Sequence, residues 1–300
     1  MGPASHPALG AAAALASALA WAIGSILFRR IGERASPAVM NLAKCLIGLV
    51  MLGVVILVTG ISPLPPGALL GIAASGVLGI AIGDTLFFMA LVRLEPRLTL
   101  LLSTVGQVLT VVLAVALLGE QPTPRQLVGI PLVLGGVTWV LFEREAGAVE
   151  APGGGRARRL AGIAWGLASA LATAAALLLA KVAVADASAL EATWIRLAAG
   201  LGGVLVGAAF RGRLGADLRA VADPALLKSL VGAVFVVMFG GFWLSLVALQ
   251  HADATIVTAL TATEPIFILP LAAFALGERI SARAIAGAVV AVAGTVLIVG

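Results

Sequence analysis

Charge is scarce in this chain of 300 residues: Asp, Glu, Lys and Arg together make up 11% of it, against about 25% in soluble domains. Hydrophobic residues make up 61%, and the mean hydropathy is +1.15. A water-soluble domain of this composition would expose more apolar surface than water tolerates, so the chain is read as a membrane protein. A span consumes about 20 apolar residues and a short loop about 5 to 10 more, which leaves room for about ten spans and no soluble domain. Cysteine is almost absent. Cys45 is the single one and falls in an apolar run, which excludes an internal disulfide and makes a Cys-ligated zinc site implausible. The two histidines are His6 in the N-terminal tail and His251 in a loop, so neither a metal nor a cofactor is expected. The same scarcity denies an intramembrane enzyme its nucleophile-and-base constellation, and no enzymatic activity is expected. Met1 to Gly10 carries no Lys or Arg, so a secretory signal is not indicated and the first apolar run is read as a retained helix. The net charge of +5 does not point to nucleic acid, because the basic residues sit in short loops with no interleaved aromatics to stack bases.

What is abundant is uninterrupted apolar sequence. Leu46 to Val58 and Ala284 to Val299 carry no charge, and they lack the alternation that a β-barrel strand requires. Backbone polar groups in such runs must be satisfied within their own helix, so the predicted fold is an all-α integral membrane protein. The predicted spans are 8–29, 37–59, 67–92, 96–118 and 125–142, then 160–182, 188–210, 226–250, 254–276 and 282–299. Between the two sets lies the charged, Gly-rich stretch Glu143 to Arg159. It is read as a linker (143–159) between two domains, 1–142 and 160–300.

The two sets are copies of one another. Residues 83 to 142, shifted by 158, lie without gaps on 241 to 300. Gly119, Glu120, Arg125, Gly129 and Gly136 then fall on Gly277, Glu278, Arg283, Gly287 and Gly294. Earlier in the chain the shift is 152. It places Leu15 to Ala20 on the identical string from Leu167 and Lys44 on Arg196, and implies a six-residue insertion in the loop 210 to 225. Five spans per copy force the second copy to enter the bilayer from the opposite side, making two inverted five-helix repeats. That topology is typical of secondary transporters, whose site lies near the midplane between the halves.

Loop charge agrees with the inversion. Fifteen of the 19 basic residues fall in one set of alternate loops and only Arg125 and Lys181 in the other, which by the positive-inside rule puts both termini outside the cytoplasm.

The segment from Thr261 contains Glu264-Pro265, then Gly277-Glu278, then Gly287 and Gly294 in a Gly-rich final helix. It resembles the end of an EamA domain of the drug/metabolite transporter (DMT) superfamily. The first half ends similarly at Gly119-Glu120 with Gly129 and Gly136, although Gly106-Gln107 replaces the Glu-Pro pair. The resemblance implies two such domains, with helices one to four of each half around a central cavity and the fifth peripheral. Many members of the family keep both termini in the cytoplasm, opposite to the charge count.

Ionisable groups at membrane depth cost about 2.5 to 3.5 kcal/mol on insertion scales and so face a cavity or a partner. Lys44, Asp84, Arg196 and Glu264 qualify, two of each sign, which suits internal pairing or a zwitterionic ligand. Asn41 stands one turn before Lys44 on the same helix face. Glu264 and Asp84 are the candidate proton-coupling groups. Thr99, Ser103, Gln107 and Thr110 form a polar stripe on the fourth span, and Thr255, Thr258, Thr261 and Glu264 a slanted row on the ninth. Each stripe suits either cavity lining or helix-to-helix hydrogen bonding. Trp243 could stack on a planar substrate. The predicted substrate-binding set is therefore Asn41, Lys44, Asp84, Ser103, Gln107, Arg196, Trp243, Thr261 and Glu264.

The expected function is secondary active transport in a bacterial inner membrane, exporting small metabolites such as amino acids by alternating access with a coupling proton or by exchange. The expected partners are a small-molecule substrate, the lipid bilayer and that proton, with the chain a monomer or loose homodimer. An uptake permease and a non-transporting receptor or accessory protein are the alternatives.

Overall fold

The computed structural model describes residues 7–60, 62, 64–119, 121–142, 155–183, 188–251, 260–261, 263–277 and 280–299. In chain order the helices are α1 (Pro7–Ile31), α2 (Pro37–Thr59), α3 (Pro66–Gly76), α4 (Thr85–Leu91), α5 (Pro96–Ser103), α6 (Val105–Leu118), α7 (Pro124–Phe142), α8 (Gly155–Ala183), α9 (Ala189–Phe210), α10 (Leu214–Val221), α11 (Pro224–Phe235), α12 (Leu244–His251), α13 (Glu264–Leu276) and α14 (Ala282–Val299). Two wider, π-helical segments continue the rod, π1 (Val77–Asp84) between α3 and α4 and π2 (Val236–Trp243) between α11 and α12. By length and composition seven stretches can cross a membrane: Ala8–Ile31, Pro37–Thr59, Pro66–Leu91, Pro96–Leu117, Gly155–Ala180, Leu190–Phe210 and Pro224–Trp243. α7, α13 and α14 occupy the places of the fifth, ninth and tenth predicted spans. Residues 254–259 of the ninth, with Thr255 and Thr258, lie outside the described residues, as does most of the linker.

Local chemistry sets the helix limits. Ser36 caps α2 by accepting from the Val39 amide, and Pro37 follows at a position whose missing N–H would have had no partner. Pro66, Pro96 and Pro224 open α3, α5 and α11 in the same way. Gly119 and Gly277, equivalent in the repeat, end α6 and α13 at φ of 66° and 68°, a left-handed conformation that side chains resist. Two sequence expectations shift. α8 starts at Gly155, ahead of the predicted span. The inserted loop 210–225 contains a helix, α10, whose buried Val221 and Asp217 face inward, with Asp217 3.8 Å from Arg211.

The two π-helical segments have the same length and stand at equivalent places in the two halves, 77–84 against 236–243. A π turn is rare and redirects carbonyls that an α-helix would pair internally. Here side chains take them up. The Gly83 carbonyl accepts from Ser169 Oγ of α8 at 2.8 Å, and the Gly241 carbonyl accepts from Ser17 Oγ of α1 at 2.6 Å. Ser17 and Ser169 are the serines of the repeated Leu-Ala-Ser-Ala-Leu-Ala string, so each half latches the π turn of the other. The latches differ in one respect: Ser245 also donates to the Gly241 carbonyl at 2.9 Å, whereas Phe87 stands at its equivalent in the first half. Ser169→Ala is therefore expected to lower stability by about 0.6 to 1.7 kcal/mol, and Ser17→Ala by less, because Ser245 still serves Gly241. Unfolding midpoints in mixed micelles test this; equal losses contradict it.

The halves are interlocked rather than juxtaposed. α1 packs along α11, π2, α12 and α13 of the second half, while α8 packs along α3, π1, α4, α5 and α6 of the first. α2 lies against α9 and α7 against α14, so each pair relates equivalent helices by an approximate two-fold axis. Gly129 meets Gly294 and Gly136 meets Gly287 across the α7–α14 crossing: a Cβ on Gly129 would stand 2.6 Å from the Gly294 carbonyl. Close backbone approach at small residues is the main source of packing energy between helices in lipid, where burial of apolar surface gives none.

Candidate functional site

Four of the predicted residues converge where α2, π1 and α9 meet. Asn41 is fully buried on α2 and donates from Nδ2 to the Ile80 carbonyl at 2.7 Å and to Thr85 Oγ1 at 2.9 Å. Thr85 in turn donates to the Ala81 carbonyl at 2.6 Å. The widened turn of π1 is thus held open by α2, and this places Asp84, its last residue, beside Lys44. Lys44 Nζ donates to Asp84 Oδ2 in an ion pair, with 12% of the lysine side chain and 31% of the aspartate exposed. The same ammonium lies 5.9 Å from the Phe88 ring centroid, a cation–π contact.

Arg196 reaches the cluster from α9. Its backbone lies directly on Gly76, where any Cβ would overlap it, and a Cβ on Gly79 would stand 3.2 Å from Nη2. The glycines of α3 and π1 thus let α9 settle its guanidinium along the π turn. Arg196 Nε is buried with no hydrogen-bond partner among the described residues, and the Asp84 carboxylate lies within its electrostatic reach. One carboxylate is thus paired with Lys44 and lies within the electrostatic reach of a second cation.

Glu264 does not join this cluster. It is the first residue of α13, which restarts after a tightened turn at Thr263, where Thr263 Oγ1 and N–H both bond the Leu260 carbonyl at 2.6 and 3.2 Å. Pro265, at the second position of α13, supplies no N–H to the preceding turn. Thr104 makes the same pair of bonds to the Leu101 carbonyl, at 2.7 and 3.2 Å, and separates α5 from α6. The fourth span of each half, predicted as continuous, is therefore interrupted at matching places. Among the described residues Glu264 makes no ion pair or side-chain hydrogen bond, so the pairing with Lys44 or Arg196 that the sequence allows is not formed. α13 packs against α1 and α5, away from α9.

The remaining candidates separate. Thr99, Ser103 and Thr110 donate to carbonyls one turn back in their own helix, Glu95, Thr99 and Gly106, at 3.1, 3.2 and 2.8 Å. These three hydroxyls of the stripe therefore donate within their own helix and not to a neighbouring one. Thr99 is buried while Ser103 is exposed; the side chain of Gln107 lies outside the described residues. Thr261 precedes the tightened turn. Trp243 ends π2 and is 38% exposed, its ring 6.3 Å from Phe239. Trp194 instead ties α9 to α2, donating from Nε1 to the Leu49 carbonyl at 3.2 Å. The π turns were not legible in the sequence, nor were the roles of Thr85 and Phe88. The only hint was glycine near Asp84, at Gly79 and Gly83.

At one end of the bundle Arg29 and Arg158 both donate to the Val92 carbonyl, at 3.3 and 2.8 Å, and Arg30 donates to Ala275 at 2.6 Å. Cations on the last carbonyls of helices are favourably placed against the helix dipole. These three arginines all come from the Arg-rich set of loops and lie together at that end.

This doubled, interlocked arrangement matches a known family. The model of the EamA-like transporter family matches residues 8–142 and again 160–300. The chain belongs to the EamA-like transporter family. It is accordingly a multi-pass membrane protein of a transporter family in the drug/metabolite superfamily. A solved structure described as "Crystal structure of protein" is similar over 97% of this chain and 94% of that chain, with a TM-score of 0.59 and 18% identity, a likeness of fold. No curated protein matches the chain.

Proposed function

We propose that this EamA-like protein is a secondary active transporter that exports small metabolites such as amino acids by alternating access, with a proton or an exchanged solute as the coupling species. The observation that carries the reading is the pairing of equivalent helices across the two halves, α2 with α9 and α7 with α14, with an ionic cluster at the first crossing. Inverted repeats related in this way can exchange conformations, which converts an outward-facing arrangement into an inward-facing one. Interrupted helices at matching depths fit a site assembled where backbone groups are available. In this reading Asn41, Lys44, Asp84 and Arg196 form one wall of the substrate site. Ser103, Gln107, Trp243, Thr261 and Glu264 contribute the other, with Glu264 and Asp84 carrying the coupling proton.

The two repeats act as units 1–142 and 160–300 joined by 143–159, in a bacterial inner membrane, with the Arg-rich face cytoplasmic and both termini outside. Metabolite profiling of the medium from cells making the wild type, beside cells making Glu264→Gln at equal membrane levels, tests the function. A compound that accumulates outside only with the wild type identifies the cargo and establishes export. Depletion from the medium establishes uptake instead, and identical profiles remove the transport reading.

A further inference from the structure

Lys44 and Arg196 are repeat equivalents, and the structure gives them unequal situations. Lys44 lies seven residues after Pro37, the start of α2, and Arg196 seven after Ala189, the start of α9. Each is thus about 10 Å from its helix start. Thr59 at the end of α2 and Leu190 at the start of α9 line one pocket, so the helices run antiparallel and the two cations stand at different depths. Among the described residues one acid, Asp84, lies within reach of both. Asp84 has Phe242 at its repeat equivalent, so the second half supplies no matching carboxylate.

In the state seen here Asp84 pairs with Lys44, whereas Arg196 Nε is buried and without a hydrogen-bond partner among the described residues. A buried guanidinium N–H with no acceptor is costly, and so is a largely buried ammonium that loses its carboxylate. The two costs are offset differently. Phe88 faces the Lys44 ammonium and would continue to stabilise it after the carboxylate left. Asp84 closes π1, and Gly79 on that turn places no side chain against the guanidinium. In an inverted repeat, reversal of the open side exchanges the environments of equivalent residues; because Phe242 stands where a second carboxylate would be, Arg196 has no acid from its own half to receive then, and Asp84 is the carboxylate within its electrostatic reach.

We propose that Asp84 is an exchangeable counter-ion, paired with Lys44 when the transporter is open to one side and with Arg196 when it is open to the other. The inference rests on the alternating-access reading and assigns a reason for two cations sharing one acid. Substitution of either cation then biases the transporter in opposite senses, because each removes the partner of one state only.

The test uses the full chain in lipid nanodiscs with Cys45→Ala as background, spin-labelled at Thr59 and Leu190 for one end of the α2–α9 pair or at Arg34 and Arg213 for the other. Lys44→Gln is expected to move the ratio of the two distance populations about tenfold in one direction, and Arg196→Gln about tenfold in the other. Asp84→Asn abolishes the opposition, so that adding either cation substitution changes nothing further. Lys44→Arg and Arg196→Lys keep the charges and are expected to keep the wild-type distribution, which controls for folding. Shifts in the same direction, or unchanged distances with only lowered thermal stability, overturn the proposal and leave a static ion pair. Flux of the wild type is measured separately. Opposite shifts without flux retain the exchange and remove transport, whereas flux without opposite shifts does the reverse.

Discussion

Glu264→Gln is expected to reduce proton-driven flux at least tenfold and to flatten its dependence on pH, while the protein remains folded and inserted. The carboxyl stands at the first residue of α13, where the Ile266 and Phe267 amides are taken up by the Thr263 carbonyl at 2.8 and 3.3 Å, and the helix dipole there favours negative charge. Insertion into hydrocarbon disfavours it by more, about 2.5 to 3.5 kcal/mol for a full charge at the centre of a span against about 0.3 to 2 kcal/mol from the dipole. Since no described side chain pairs with Glu264, no neighbour holds the charged form, and dry surroundings favour the protonated one. Such a group can take up a proton when its surroundings are dry and release it when water reaches it. Glutamine keeps the shape and removes the proton. Flux into vesicles under an imposed pH gradient measures the effect, and a variant that keeps the wild-type pH profile takes Glu264 out of the coupling role.

Gly136→Leu is expected to cost on the order of 3 kcal/mol or more and to loosen α7 from α14. A Cβ there would stand 2.6 Å from the Ala291 amide nitrogen and would collide with the Gly287 carbonyl, both backbone atoms that cannot swing aside. Overpacking into a fitted core commonly costs about 1 to 3 kcal/mol, and here a whole side chain must be placed between two backbones. The adjacent Gly135 has nothing within 4 Å of its added Cβ, so Gly135→Leu should be tolerated. Denaturant titration of the two variants in micelles decides the matter. Equal midpoints would mean that the α7–α14 crossing is not held by its glycines.

The two predictions differ in how far the sequence anticipates them. Glu264 stands out as an acid in an apolar stretch followed by proline, and its depth follows from counting residues. The glycines at 129, 136, 287 and 294 stand out only as markers of the repeat. That they meet one another crosswise depends on the antiparallel crossing of two helices far apart in the chain. Ser17 and Ser169 are similar: the repeated string is visible, but nothing local says that each serine serves a carbonyl in the opposite half.

The sequence by itself determined the helical class, the duplication and the inversion. Those properties follow from hydropathy, from residue spacing along one chain and from an odd number of spans per copy. It also named Asn41, Lys44, Asp84 and Arg196, because polar groups are rare enough in an apolar chain to be conspicuous. Only the tertiary structure decided that these four meet while Glu264 stands apart, and that two π turns are held open by side chains of other helices. The physical reason is that pairing and carbonyl capture are settled between helices, where lipid offers no alternative partner and the approach of two backbones fixes which groups can reach each other.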